Sequence, residues 1–388
     1  MIRTTVLSAV MVGLLLIGTE ANAQSAAPQP PKRLTLSERL AKPVTFEYQK
    51  APLKEAMEDL KEKMLIPIVL DTKKMEENAI SLEIPISGKS SEAPAIDDIN
   101  KLLRGAGLSG EIRLDVLYIS PLKGQKEFHI CRLYRLSKGA DAAELVKRIT
   151  SKIAAETWRD AGGPGEIVTV APTVIAISHT PATHREIERM LGKELSSVSA
   201  PLDQIAALAP TKGPNPLAAI SQALRRPNSA EYPETPVREA LADWANNAKV
   251  KLAFDAASLK AAGVTPGTPL SVNFSNMPAD SVLNLMLEGF GLAWTLEEDQ
   301  VLITIPKVAA AKELTITYDT KGLVPPSDNE TLVRALQRTI RPAIWDNPGR
   351  ITAAEGVLKI RQTVQAHRMI ETWLADLRTA LKPAPAAK

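Results

Sequence analysis

At 388 residues the chain has room for about two to four domains, and its 45% hydrophobic but only 4% aromatic content predicts cores of aliphatic side chains. Lys plus Arg exceed Asp plus Glu by 47 − 44 = 3, too small an excess for the concentrated basic face of a nucleic-acid binder. The single cysteine, Cys131, excludes an intrachain disulfide framework; between Ile130 and Arg132 in a strand-like run, it reads as a small buried apolar residue.

The amino end carries a positive residue, Arg3, then the apolar run Val6 to Ile17, then Ala21-Asn22-Ala23 before Gln24. These are the three parts of a secretory signal peptide, cleaved between Ala23 and Gln24, and the apolar run is too short for an ordinary membrane span. No later apolar stretch reaches about 18 residues, so no transmembrane helix is expected after signal removal. The expected location is periplasmic or otherwise exported.

A flexible Pro/Ala-rich leader (24–41) precedes a unit that occurs twice. Lys42 to Ile119 aligns without a gap on Arg226 to Ile303, at an offset of 226 − 42 = 184. Pro52 falls on Pro236, Asp59 on Asp243, Asp71 on Asp255, Gly107 on Gly291 and Ile119 on Ile303. Within the first copy, Val44 to Tyr48 reads as a strand. Pro52 then opens a helix striped by Leu53, Ala56, Met57, Leu60 and Met64. Ile66 to Leu70 and the alternating Ile80 to Ile84 follow as strands. A second helix from Pro94 ends at Gly105-Ala106-Gly107, and the last strand region, Glu111 to Ile119, turns near Asp115. The order predicts an α+β domain, a small sheet covered by two helices.

Each copy is followed by a looser repeat. The strand Glu127 to Leu136, a helix from Ala142 to Ala154, Trp158 and Gly162-Gly163-Pro164-Gly165 lead to two strands and a helix from Pro181. The carboxyl end repeats this with a strand Glu313 to Tyr318, a helix Thr331 to Ile340, Trp345, two strands and a helix Val364 to Leu381. The fold class is therefore α+β, a tandem duplication of a small domain plus a βαββα module. The divisions are a signal peptide (1–23), leader (24–41), first domain (42–121), first module (125–195), linker (196–225) with helical potential from Pro216 to Leu224, second domain (226–306), second module (312–381) and disordered tail (382–388).

The run Ala51-Pro52-Leu53-Lys54-Glu55-Ala56, with Ile66-Pro67-Ile68-Val69-Leu70-Asp71 and Leu117-Tyr118-Ile119, resembles the secretin and TonB short N-terminal (STN) domain. Thr235-Pro236-Val237-Arg238-Glu239-Ala240-Leu241 through Leu302-Ile303 resembles it again. The module after each copy resembles the KH-type ring-building domain of secretins, and Trp158-x4-Gly-Pro-Gly with its paired strands resembles exported repeat proteins of Planctomycetes. The resemblance implies modules that contact other proteins. The sequence continues into neither a secretin pore nor a TonB-receptor barrel, so channel formation and uptake are not carried over.

No motif here predicts catalysis or a cofactor. His184 and His367 occupy matching places early in matching helices, but neither has a Cys or second His at i+4 as a helical metal pair needs. Both read as structural hydrogen-bonding residues. His129 and His179 lack counterparts and read as incidental. The repeated Asp71/Asp255 and Asp115/Asp299 read as turn or cap residues, and Trp158 and Trp345 as core plugs. Gly162 to Gly165 satisfies a G-x-x-G pattern, but it precedes a strand and Pro164 removes an amide donor, so nucleic-acid binding is not expected. The expected function is a non-enzymatic exported scaffold or adaptor for unidentified envelope proteins, compatible with oligomerisation. It rests on a duplicated core without a duplicated polar constellation. The alternative is a ligand-binding receptor or envelope enzyme using residues such as His129, His179 or Asp299 between modules.

Overall fold

The computed structural model describes residues 36–113, 116–122, 129–200, 216–323, 329–340, 342–345, 350–354 and 356–382. The expected signal peptide with its expected cleavage between Ala23 and Gln24, most of the expected leader, Asp115 and the residues beyond Lys382 lie outside them. In chain order, α1 (Leu36–Leu40) leads to β1 (Glu47–Pro52), α2 (Leu53–Met64), β2 (Ile68–Leu70), α3 (Thr72–Glu77) and β3 (Pro85–Lys89). Then come α4 (Ala95–Arg104), β4 (Leu108–Arg113) and β5 (Val116–Pro121). The first module is β6 (Ile130–Leu136), α5 (Ala142–Lys152), β7 (Glu166–Ala171), β8 (Val174–His179), α6 (Pro181–Leu191) and β9 (Leu195–Val198). After α7 (Pro216–Arg225) the second domain runs β10 (Pro227–Pro236), α8 (Val237–Ala248), β11 (Lys251–Phe254), α9 (Ala256–Ala261), β12 (Pro269–Pro278), α10 (Ala279–Glu288), β13 (Ala293–Glu297) and β14 (Gln300–Thr304). The last module is α11 (Pro306–Ala311), β15 (Leu314–Asp319), α12 (Asn329–Thr339), β16 (Ile351–Ala354), β17 (Val357–Gln362) and α13 (Val364–Leu381). The chain is α+β, as expected.

The duplication is kept down to single bonds. Ala95 N–H donates to Lys42 O and Ala279 N–H to Arg226 O, both at 3.0 Å, and Asp71 N–H and Asp255 N–H reach Ile119 O and Ile303 O, both at 2.9 Å. Pro52 and Pro236 stand at the N-caps of α2 and α8, with acidic Glu55 and Glu239 in the first turn where the helix dipole favours them. The apolar stripe is buried in both copies: Leu53, Ala56, Met57 and Leu60 in one, Val237, Ala240, Leu241 and Trp244 in the other.

Several elements differ from the sequence reading. Each domain holds two sheets where one was expected: an antiparallel pair (β1–β3, β10–β12) and a three-stranded mixed sheet (β2-β5-β4, β11-β14-β13). The alternating Ile80 to Ile84 is a turn, because Ser81 bonds the backbone N–H groups of Glu83 and Ile84 through its hydroxyl and carbonyl; the strand begins at Pro85. The end of the leader is helical, with Leu36 and Leu40 buried in the first core. The expected linker is in part structured. Leu195–Val198 completes the first module as a fourth strand antiparallel to β6. The helical potential from Pro216 to Leu224 is realised as the helix Pro216–Arg225, whose Arg225 pairs with the buried Glu371 at 2.8 Å.

The two modules do not sit side by side as equivalents. The first has the sheet β7-β8-β6-β9. One face packs on its own α5 and α6 through Tyr134, Ile175, Ile177, Leu145, Ile149 and Ile187. The opposite face carries Leu133, Val168, Val170, Val174 and Ala176, all buried, in one continuous apolar cluster with Leu332, Leu336, Trp373, Leu374 and Leu377 of the second module. Helix α12 lies against β7 and β8, and α13 against β6, β8 and β9. The second module's helices are thus clamped between its own sheet (β15-β17-β16) and the first module's.

The residues explain why only one copy is covered. Aligned through the matching strands, Leu133, Val168 and Ala176 of the first module become Thr317, Thr352 and Lys359 of the second. Thr352 and Lys359 are exposed. An apolar outer face requires a partner layer, and here α12 and α13 supply it. Three polar contacts fix the joint. Arg338 reaches the buried Glu166 at 2.7 Å, with Arg159 on the other carboxylate oxygen. Arg135 donates to the last carbonyls of α13, Thr379 O and Ala380 O, where a cation complements the helix dipole. Asp376 accepts from Ala200 N–H at 2.6 Å.

Candidate interaction surfaces

The repeated polar residues are brought together in pairs, contrary to the expectation that no polar constellation is duplicated. His184 lies 2.8 Å from the Tyr134 hydroxyl through Nδ1 and 3.0 Å from Ile130 O through Nε2. His367 repeats this on the Tyr318 hydroxyl (2.8 Å) and Leu314 O (2.9 Å). A carbonyl only accepts, so Nε2 carries the proton and Nδ1 accepts from the tyrosine. Burial holds the two histidines neutral, lowering them to about 3 and about 4. A second pair, Tyr48–Asp59 at 2.5 Å and Tyr232–Asp243 at 2.7 Å, ties the first strand of each domain to its first helix. Both sets were detectable as tyrosines kept in register with a His or Asp between copies.

The other expected residues sit as follows. Asp71 and Asp255 cap α3 and α9, accepting from Lys74 N–H and Ser258 N–H, both at 3.1 Å. Asp299 lies in the β13–β14 turn and pairs with Lys251 at 2.5 Å, within its own domain. Trp158 and Trp345 are buried core plugs, donating to Ile153 O and Ile340 O, each five residues back. His179 is not incidental. It is buried, packs on Trp158 with ring centroids 4.6 Å apart, stacks on His129, and meets the Thr157 hydroxyl at 2.8 Å. Gln362 takes its place in the second module and bonds Ile344 O at 2.7 Å. The glycine loop is packed shut: a Cβ on Gly165 would lie 2.4 Å from the His179 ring, and one on Gly163 2.2 Å from the Thr157 backbone. Cys131 is half-buried against the second module, and burial pushes its thiol up to about 12, away from reactivity.

The duplicated side chains are therefore engaged in internal bonds. Among the described residues, no group of three or more His, Cys, Asp or Glu is placed to hold a metal ion, and no helix is long and apolar enough to cross a membrane. The surface does present strand edges. The sheet orders leave β7, β9, β15 and β16 at the borders of the module sheets, and β2, β4, β11 and β13 at those of the domains. An edge strand offers unpaired backbone N–H and C=O groups to an incoming chain.

No family model and no curated protein matches the chain. Among solved structures, a chain of the InvGN0N1:SpaPQR:PrgHK assembly from the Salmonella SPI-1 injectisome is similar at 11% identity over 39% of this chain and 95% of that one, with a TM-score of 0.17. The N-terminal domain of the secretin XcpQ from Pseudomonas aeruginosa is similar at 13% identity over 63% and 96%, with a TM-score of 0.15. A further XcpQ structure, XcpQN012, is similar at 13% identity over 49% and 85%, with a TM-score of 0.17.

Proposed function

We propose that the protein is a non-enzymatic, exported scaffold or adaptor of the cell envelope, built from STN-like domains and KH-like modules, that binds other proteins. One observation carries this reading: the His–Tyr and Tyr–Asp pairs kept in both copies are engaged in internal bonds that hold strands to helices, while the described sheets end in edge strands. Such edges bind extended chains through the backbone, with side chains setting specificity. Two similar domains on one chain also raise the effective concentration of a second contact. The signal-like amino end supports export, with Ala23 and Gln24 flanking the cut.

The test is affinity capture from envelope extract using the exported chain as bait, beside a thermal-shift screen against small molecules and metal ions. The expected result is a stoichiometric protein partner and no ligand-induced shift. Absence of any protein partner, together with stabilisation by a small molecule or metal, would overturn the reading in favour of a receptor or enzyme.

A further inference from the structure

Strand β7 borders its sheet and lies beside a cleft of about 310 Å³ lined by Val146 of α5, Ile167, Val168 and Thr169 of β7, and Thr331, Arg334 and Arg338 of α12. The cleft exists because the second module's helix covers the first module's sheet, so helices flank this edge on both faces. Successive side chains of a strand point to opposite faces. Ile167 faces the core shared with α5, and Val168 faces the cluster shared with α12. A strand added alongside β7 would meet the same division: aliphatic surface from Val146 on one side, the arginine rim of α12 on the other.

The two arginines differ. Arg338 is committed to Glu166. Arg334 is exposed, and its one bond among the described residues is a long contact of 3.4 Å to the Thr331 hydroxyl within its own helix. A guanidinium beside an open backbone edge selects a carboxylate, which it can grip with two parallel bonds. The corresponding edge of the second module, β16, has exposed Ala353 and Ala354 and lies on the sheet whose outer face carries the exposed Thr352 and Lys359.

We propose that this cleft docks an extended segment of a partner protein in which aliphatic and acidic residues alternate, added as a strand to β7 with its carboxylate on Arg334. The proposal rests on the protein-interaction reading above and names the chemistry of one partner segment.

The test uses two labelled peptides, Thr-Val-Glu-Val-Glu-Val-Thr and its counterpart with lysine for glutamate, titrated into the full chain by fluorescence anisotropy. The glutamate peptide is expected to bind and the lysine peptide to bind at least tenfold more weakly. The exposed-site substitution Arg334→Glu is expected to weaken the glutamate peptide at least tenfold and strengthen the lysine peptide, with an unchanged melting temperature. Amide exchange should slow on residues 166–171 when the glutamate peptide is bound. Equal binding of both peptides, indifference to Arg334→Glu, or protection at another edge would overturn the assignment. Failure of the glutamate peptide, while a captured envelope protein binds Arg334→Glu as well as wild type, overturns the cleft and leaves the scaffold reading standing. If no protein is captured either and a small molecule or metal ion stabilises the chain, both fall.

Discussion

Replacing Ala176 with lysine, the residue at the equivalent position of the second module, is expected to destabilise the protein by about 4 kcal/mol or more. Ala176 is fully buried on β8, a central strand, with Leu133 and Val168 directly opposite it on the neighbouring strands. A lysine there would push its ammonium into the layer formed by α12 and α13. The carboxylates of this joint, Glu166 and Asp376, are already bonded to Arg338 with Arg159 and to Ala200 N–H, so the lysine must either deprotonate or separate the modules. The reciprocal change, Lys359→Ala, alters an exposed position on the same sheet face and is expected to stay within about 0.5 kcal/mol of wild type. Urea midpoints of the two variants check both halves. Similar, small shifts for both would mean that the first module's outer face is not covered in solution.

The second large effect is on pH dependence, and Asp376→Asn isolates it. Burial raises the Asp376 carboxyl to about 7, even though Ala200 N–H donates to it. A raised carboxyl binds its proton more tightly folded than unfolded. Its contribution is therefore complete below pH 4 and is lost as the pH rises to 7. His184 and His367 have the opposite sign. Lowered to about 3 and about 4, they contribute fully above pH 6.5 and lose that contribution as the pH falls toward their folded values. Of these three groups, between pH 4 and 6.5 the unfolded chain protonates the two histidines and the folded chain holds one proton on Asp376. Their net difference of one proton contributes a stability that rises with pH by about 1.4 kcal/mol per unit. Carboxylates lowered by their partners, such as Asp71 and Asp255, titrate below this window. Asp376→Asn keeps an acceptor for Ala200 and removes the opposing proton. It should roughly double the slope and stabilise the protein at pH 7.5 by on the order of 2 kcal/mol. Denaturant titrations from pH 4.5 to 7.5 measure this, and an unchanged slope would contradict the buried placement of Asp376.

Much of the fold was legible because it is local and repeated. The 184-residue offset, the apolar helix stripes and the helix-opening prolines all sit within one domain, and the backbone bonds keep the same register. Sheet partition was not legible. β1 pairs with β3 across two intervening helices and a strand, and nothing in Glu47–Pro52 alone says that it avoids β2 and β5. The strand Leu195–Val198 was missed because four residues, two of them serine, carry too little pattern. Its register is set by the far side of β6. The cover on the first module was written in the residues but at long range. Val168, Val170, Val174 and Ala176 make β7 and β8 apolar on both faces, as a strand buried on both sides must be, and the matching Thr352 and Lys359 do not. The interface is written in the positions where the two copies differ, not in those where they agree. The interaction surfaces were least legible, since the cleft beside β7 exists only when α12 is brought over from 172 positions away, as the pairing of Arg338 with Glu166 shows.

The central claim is that the second module's helices form one cooperative layer with the first module's sheet. Native-state amide exchange under increasing denaturant tests it most directly. The account predicts that the slowest amides of β8 and of α13 open with the same free energy and the same denaturant dependence, in a single unfolding event. Exchange of α13 at distinctly lower free energy, with β8 still protected, would show independent modules and contradict it.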